Sequence, residues 1–107
     1  MLDITVLNKE TFVVKTYIGI FHIYQPKVKV VNKLISIVKK VNKDKNNIEA
    51  ETVEELFDIF KVIINKNKEK RKISMSQIDE NFDISDIILI LNELFTWIGE
   101  VKNEKNS

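Results

Sequence analysis

Cysteine is absent from the 107 residues, which removes disulfide frameworks, zinc–thiolate sites and thiol nucleophiles from consideration. Two glycines, Gly19 and Gly99, leave no material for a glycine-rich phosphate loop. The single histidine, His22, rules out a His-Glu-x-x-His metal pair, and no Gly-x-Ser-x-Gly elbow occurs. No apolar run reaches the roughly 18–20 residues of a membrane span, because Lys, Asn, Asp or Glu interrupts every stretch. The first residues lack a basic start followed by an apolar segment, so no export signal is expected and an intracellular protein is. Charge of one sign is missing too: 17 basic residues face 16 acidic ones, and a net +1 calls for no polyanion partner.

What is present is a strong bias. Ile, Lys and Asn number 17, 16 and 11. All three have A/T-rich codons, so codon usage accounts for many surface lysines, and position carries more meaning than totals. The length and a hydrophobic content of 44% suit one soluble domain with one core.

The period of the apolar residues divides the chain. Leu2–Leu7 and residues 11–17 are β-branched runs joined by Asn8-Lys9-Glu10, as in a hairpin, and Ile20–Tyr24 reads as a third strand set off by Gly19. Pro26 closes this β region. Beyond it the period becomes about 3.6. Val28, Val31, Leu34, Ile35, Val38 and Val41 predict a helix over 28–42, followed by a polar connector at 42–47. Thr52 with Glu55 predicts a capping box opening a second helix, whose apolar face is Val53, Leu56, Phe57, Phe60, Ile63 and Ile64. A basic loop follows at 65–72. Ser74 with Gln77 opens a short helix ending near Asn81, and Asp83 with Asp86 caps a last helix over 84–101, fraying at Gly99. The expected fold is α+β in one domain: a small antiparallel β hairpin or meander (1–26), a helical part of three main helices and one short one (27–101), and a loose tail (102–107).

Charge is arranged in blocks. Residues 27–45 and 61–72 are basic, whereas 49–58 and 79–93 are acidic. The acidic blocks open the second and last helices, where the helix dipole favours them. The lysines of the first helix and of the loop could track phosphates, which keeps a DNA-binding regulator in view. Against it, Arg71 is the single arginine, and the acidic blocks would repel a crossing duplex.

Catalytic and metal chemistry find little support. His22 sits between Phe21 and Ile23 in a predicted strand and reads as a locally hydrogen-bonded sheet residue, without a nucleophile to serve. The acid pairs Asp79–Glu80 and Asp83–Asp86 lack the spacing of a calcium loop and read as capping groups. The expectation is a protein that is not an enzyme and uses no cofactor or metal.

The informative excess is apolar width. On the last helix Ile84, Ile87, Ile88, Leu91, Phe95 and Ile98 form one face, and Ile90, Leu94, Trp97 and Val101 extend it to roughly half the circumference. Leu89 lies apart from both sets. On the second helix Ile59 widens the stripe and Val62 lies beyond it. Either the β region covers this surplus or another chain does. The partner-binding candidates are Ile90, Leu94, Trp97 and Val101, with Phe57 and Phe60 beside them.

Residues 73–88, from Ile73-Ser74-Met75-Ser76-Gln77 to Asp86-Ile87-Ile88, and Glu93-Leu94-Phe95-Thr96-Trp97-Ile98 resemble the C-terminal half of tail assembly chaperones of long-tailed bacteriophages and prophages of Gram-positive bacteria. Pro26-Lys27-Val28 and Glu51-Thr52-Val53-Glu54-Glu55-Leu56 are also similar to that family, so the likeness spans about residues 24–98. It implies a non-enzymatic binder that coats the tape measure protein until tail tube subunits polymerise around it. It also implies a place in the cytoplasm of the bacterial host and absence from the mature virion; self-association is expected through the same apolar surface, since a helix face that lacks its client can pair with its own kind. The alternatives are the DNA-binding regulator acting through the lysine-rich first helix and a structural tail or head-completion protein.

Overall fold

A computed structural model describes residues 11–43 and 47–106, with side chains described as far as Glu100. Two strands, β1 (Thr11–Thr16) and β2 (Gly19–Tyr24), precede four helices: α1 (Val28–Lys43), α2 (Ala50–Ile64), α3 (Met75–Asn81) and α4 (Ile84–Asn106). The α+β class is therefore as expected. The strand expected at Leu2–Leu7 lies outside the described residues, and among those described the sheet is an antiparallel pair running from Thr11↔Tyr24 to Thr16↔Gly19.

The turn between the strands is Tyr17-Ile18, so Tyr17 leaves the strand predicted for it and stands 79% exposed. Gly19 closes the turn at φ +126, a backbone region that side chains resist. A Cβ there would also meet the Arg71 guanidinium at 2.7 Å. That guanidinium lies 4.6 Å over the Phe21 ring, so the missing side chain leaves room for a cation–π contact that clamps the hairpin to the loop after α2.

Helix α2 sits at the centre and packs against α1, α3, α4 and β2. Leu56, Ile59, Phe60, Ile63 and Ile64 are buried on it. Thr52 belongs to the same stripe, since 52, 56, 59 and 63 are spaced by four, three and four, and it too is buried. This overturns the expected capping box. The helix begins earlier, at Ala50 with Glu49 as N-cap, and no side-chain cap bond forms. Glu55 turns outward instead to accept from Lys40 Nζ of α1 at 3.1 Å. The other two caps form as expected. Ser74 and Gln77 make a full capping box on α3. Asp83 Oδ1 accepts from the Asp86 N–H (2.8 Å) while Asp86 Oδ2 accepts from the Asp83 N–H (3.1 Å) at the start of α4.

Two helices differ in phase or length from the sequence expectation. On α1 the buried residues are Leu34, Ile37 and Val41, so the inward stripe includes Ile37, which the predicted face omitted, while Val28 is 76% exposed. The predicted face was centred one residue off, because valines on its margin were counted as its middle. Helix α4 does not fray at Gly99. It continues through the expected loose tail to Asn106, and the glycine meets open space.

The basic loop is a built structure. Asn67, 5% exposed, donates from Nδ2 to the carbonyls of Ile64 (2.7 Å) and Arg71 (2.9 Å), and its Oδ1 accepts the Arg71 N–H (2.9 Å). Asn65 does the same across a wider span, donating to the Lys61 and Ile73 carbonyls and accepting the Ile73 N–H. The Asn67 amide satisfies the Ile64 carbonyl at the end of α2, and Asn65 adds a second bond to the Lys61 carbonyl, which also accepts its backbone N–H. Residues 66–68 then run along β2 as a short third rung: the Tyr24 N–H donates to Lys66 O, and the Lys68 N–H donates to His22 O. Asn67→Ala would leave this buried set of polar groups unpaired. We expect a loss of about 2 kcal/mol, read as a melting temperature lower by roughly 10 °C; an unchanged value would show that the loop holds without its asparagine.

Candidate binding surface

Among the described residues no cluster of three His, Asp or Glu could hold a metal ion. No helix among the described residues is long and apolar enough to cross a membrane. His22 is a strand residue, as expected, but its partner is distant in sequence. Its backbone N–H donates to Glu69 Oε1 at 2.9 Å, and its Nδ1 meets Glu69 Oε2. The backbone hydrogen bond from His22 holds the Glu69 carboxyl below its ordinary pKa, opposed by desolvation and helped by the ring. The pair stitches β2 to the loop at its surface.

Lys27 and the α1 lysines Lys29, Lys33, Lys39, Lys40 and Lys43 are all exposed, and Lys40 is engaged with Glu55. This face is solvated and crosses to the acidic start of α2. An exposed pair of this kind contributes about 0.2–1 kcal/mol.

The surplus apolar surface of α4 divides in two. Its core stripe is Ile87, Leu91, Leu94 and Ile98, all buried. At 100° per residue Ile90 and Trp97 flank this stripe on one side, and Ile84, Ile88 and Phe95 flank it on the other. The hairpin roofs the first flank. The Phe12 ring of β1 lies 5.9 Å from that of Trp97, tilted by 46°, and both Trp97 and Ile90 are half-buried. The second flank is partly open: Ile84 and Phe95 are each 38% exposed, while Ile88 between them is half-buried against the core. Leu89, 62% exposed, stands at the mouth of a trough of about 580 Å³ between β1 and α4, lined also by Val13, Val14, Tyr17 and Ile90.

The predicted partner-binding residues therefore meet different fates. Leu94 and Phe60 are fully buried, and Phe60 packs edge-on against Phe82 at 5.0 Å, so both hold the core together and offer no surface. They were misplaced because wheel position alone does not say which margin a neighbouring element covers. Phe57 is half-buried against the core. Trp97 and Ile90 are partly covered by the hairpin, and the Val101 side chain lies outside the described residues. Phe95 and Ile84, counted as ordinary core from their spacing, are the ones left open. Leu89 carried a usable signal, since it fell outside both apolar sets.

The chain matches no protein-family model, and searches of curated proteins and of solved structures gave no match.

Glu69 supplies a pH test. Its lowered native pKa means that its contribution to stability is present above the ordinary value of 4.5 and fades as pH falls through the lowered value. Melting temperatures measured from pH 6 downward should show wild type above Glu69→Gln, with the gap closing in acid. Parallel curves would remove the linkage.

Proposed function

We propose that the chain is a tail assembly chaperone, which masks the tape measure protein of a long-tailed phage through the open flank of α4. The observation that carries this reading is the exposure of Ile84 and Phe95 beside a complete core stripe, with Leu89 exposed on the same helix. Residues 84, 88 and 95 are spaced by four and seven, so they form one ridge along α4. Such a ridge fits the groove of a second amphipathic helix. A tape measure protein is a long helical chain whose apolar stripes aggregate when bare, and a holdase for it needs greasy helix surface and no nucleotide. The sequence likeness over residues 24–98 supports the same class of client.

The small area of the ridge suits the task. Each copy binds weakly, many copies along one client supply the total affinity, and tube subunits that bind the client better displace them without ATP. Self-association through the same ridge is part of the proposal, because a ridge without its client can pair with its own kind.

The test is co-expression with the tape measure protein encoded near its gene. Wild type should keep that protein soluble and co-elute with it. Phe95→Glu should lose the complex while its melting temperature stays within about 3 °C, the behaviour of a surface substitution. Trp97→Ala should instead lower the melting temperature, because it strips the Phe12 contact from the core margin. A complex that survives Phe95→Glu would place the client elsewhere. Stoichiometric incorporation into purified virions would favour the structural tail protein.

A further inference from the structure

Pairing on both sides of β2 fixes a second surface, separate from the flank of α4. Ile23 of β2 bridges Asn67 in the loop, and both side chains are buried. Side chains alternate along a strand, so Ile20, His22 and Tyr24 point to the other face of the sheet. Residues directly opposite one another share a face. The bridge sets Lys66 opposite Tyr24 and Lys68 opposite His22, in keeping with the Tyr24 N–H on Lys66 O and the Lys68 N–H on His22 O. On the β1 side Lys15 stands opposite Ile20. Exposure follows the same assignment. Lys15, Lys66 and Lys68 are exposed, Tyr24 is 41% exposed, and the His22 side chain is 38% exposed.

The outer face is therefore a grid. Two rings, Tyr24 and His22, stand about 6.7 Å apart along β2. A column of two cations, Lys66 and Lys68, runs beside them at the inter-strand distance of about 4.8 Å. Lys15 adds a third cation at the corner. Glu69 reaches this face, but its carboxylate accepts the His22 N–H and meets Nδ1, so it takes the edge of the imidazole and not its flat sides. Codon usage accounts for the number of lysines and not for their register with the rings.

We infer that this face binds a single strand of nucleic acid, with bases stacked on Tyr24 and His22 and phosphates tracked by Lys66, Lys68 and Lys15. A single strand presents charge along one side and flat π-faces along the other, which is the pairing of columns found here. A duplex keeps its base faces stacked inside, so the rings would gain nothing from it. An acidic polypeptide would satisfy the lysines and leave the rings without a flat partner. With Arg71 engaged over Phe21 and few cations in the grid, binding is weak and tolerant of sequence. The inference stands independently of the chaperone reading, which uses α4.

Fluorescence anisotropy of a labelled oligothymidylate of about twelve nucleotides tests it on the full chain. Wild type should bind at low salt, and log K should fall against log salt with a slope of about −2, from three phosphates at roughly 0.7 each. Tyr24→Ala should weaken binding at least about five-fold, whereas Tyr24→Phe should keep it. Lys66→Ala with Lys68→Ala should reduce the slope by about 1.4. These lysines meet β2 through their backbones, so the double variant should melt as wild type does, and it decides the question if Tyr24→Ala unfolds. No binding at low salt would overturn the inference, as would a salt slope untouched by the double variant. Stronger binding of the same sequence as a duplex would make the face a duplex reader. Equal displacement by polyglutamate, with Tyr24→Ala at wild-type affinity, would give the face to an acidic polypeptide. Either result would also overturn the inference.

Discussion

Everything in this fold hangs on one helix being shared by all the others. α2 packs against α1, α3, α4 and β2, with Thr52, Leu56, Ile59, Phe60, Ile63 and Ile64 buried between them. A helix used on so many sides cannot also fix how its neighbours cover one another. α1 and α4 therefore each bring a stripe to α2 and keep margins that something else must shelter. For α4 one margin finds the hairpin, through Phe12 on Trp97, and the other stays partly open at Ile84 and Phe95. The apolar excess visible in the sequence is thus a consequence of a small body built around a single central helix.

The hairpin is held from both ends of this arrangement. On one side β1 leans on α4. On the other β2 is stitched to the loop after α2 by the 66–68 rung, by Glu69 on His22 and by Arg71 over Phe21. Two strands alone are marginal in water. Here the sheet gains a surrogate third rung from a loop whose shape is set by two asparagines, which is why a segment so rich in charge can serve as a packing partner.

Periodicity and capping chemistry made much of this legible. Ser74 with Gln77 and Asp83 with Asp86 announced their helices because those bonds are local, closing within four residues. Thr52 misled for the opposite reason: a threonine three residues before a glutamate looks like a cap, and only the packing of α2 turns it inward. Ile37 was missed because its neighbours Ile35 and Val38 are equally apolar, so the phase of α1 is set by contact and not by composition. The roofing of Trp97 by Phe12 joins residues 85 positions apart, one on a strand and one on a helix, and leaves no trace in the wheel of α4. Asn65 and Asn67, which read as members of a polar loop, act through carbonyls that no sequence pattern reveals.

Lys66, Lys68, Lys70, Arg71 and Lys72 make this loop the densest run of tryptic sites in the described helical region, and Lys70 even adopts a left-handed backbone at φ 59. A protease needs an extended, yielding backbone. The asparagine amides deny it one for as long as α2, α3 and β2 stay together. The segment that looks most like a tether between two halves is therefore their lock, and a cut there would report the opening of the whole molecule rather than the looseness of a surface turn.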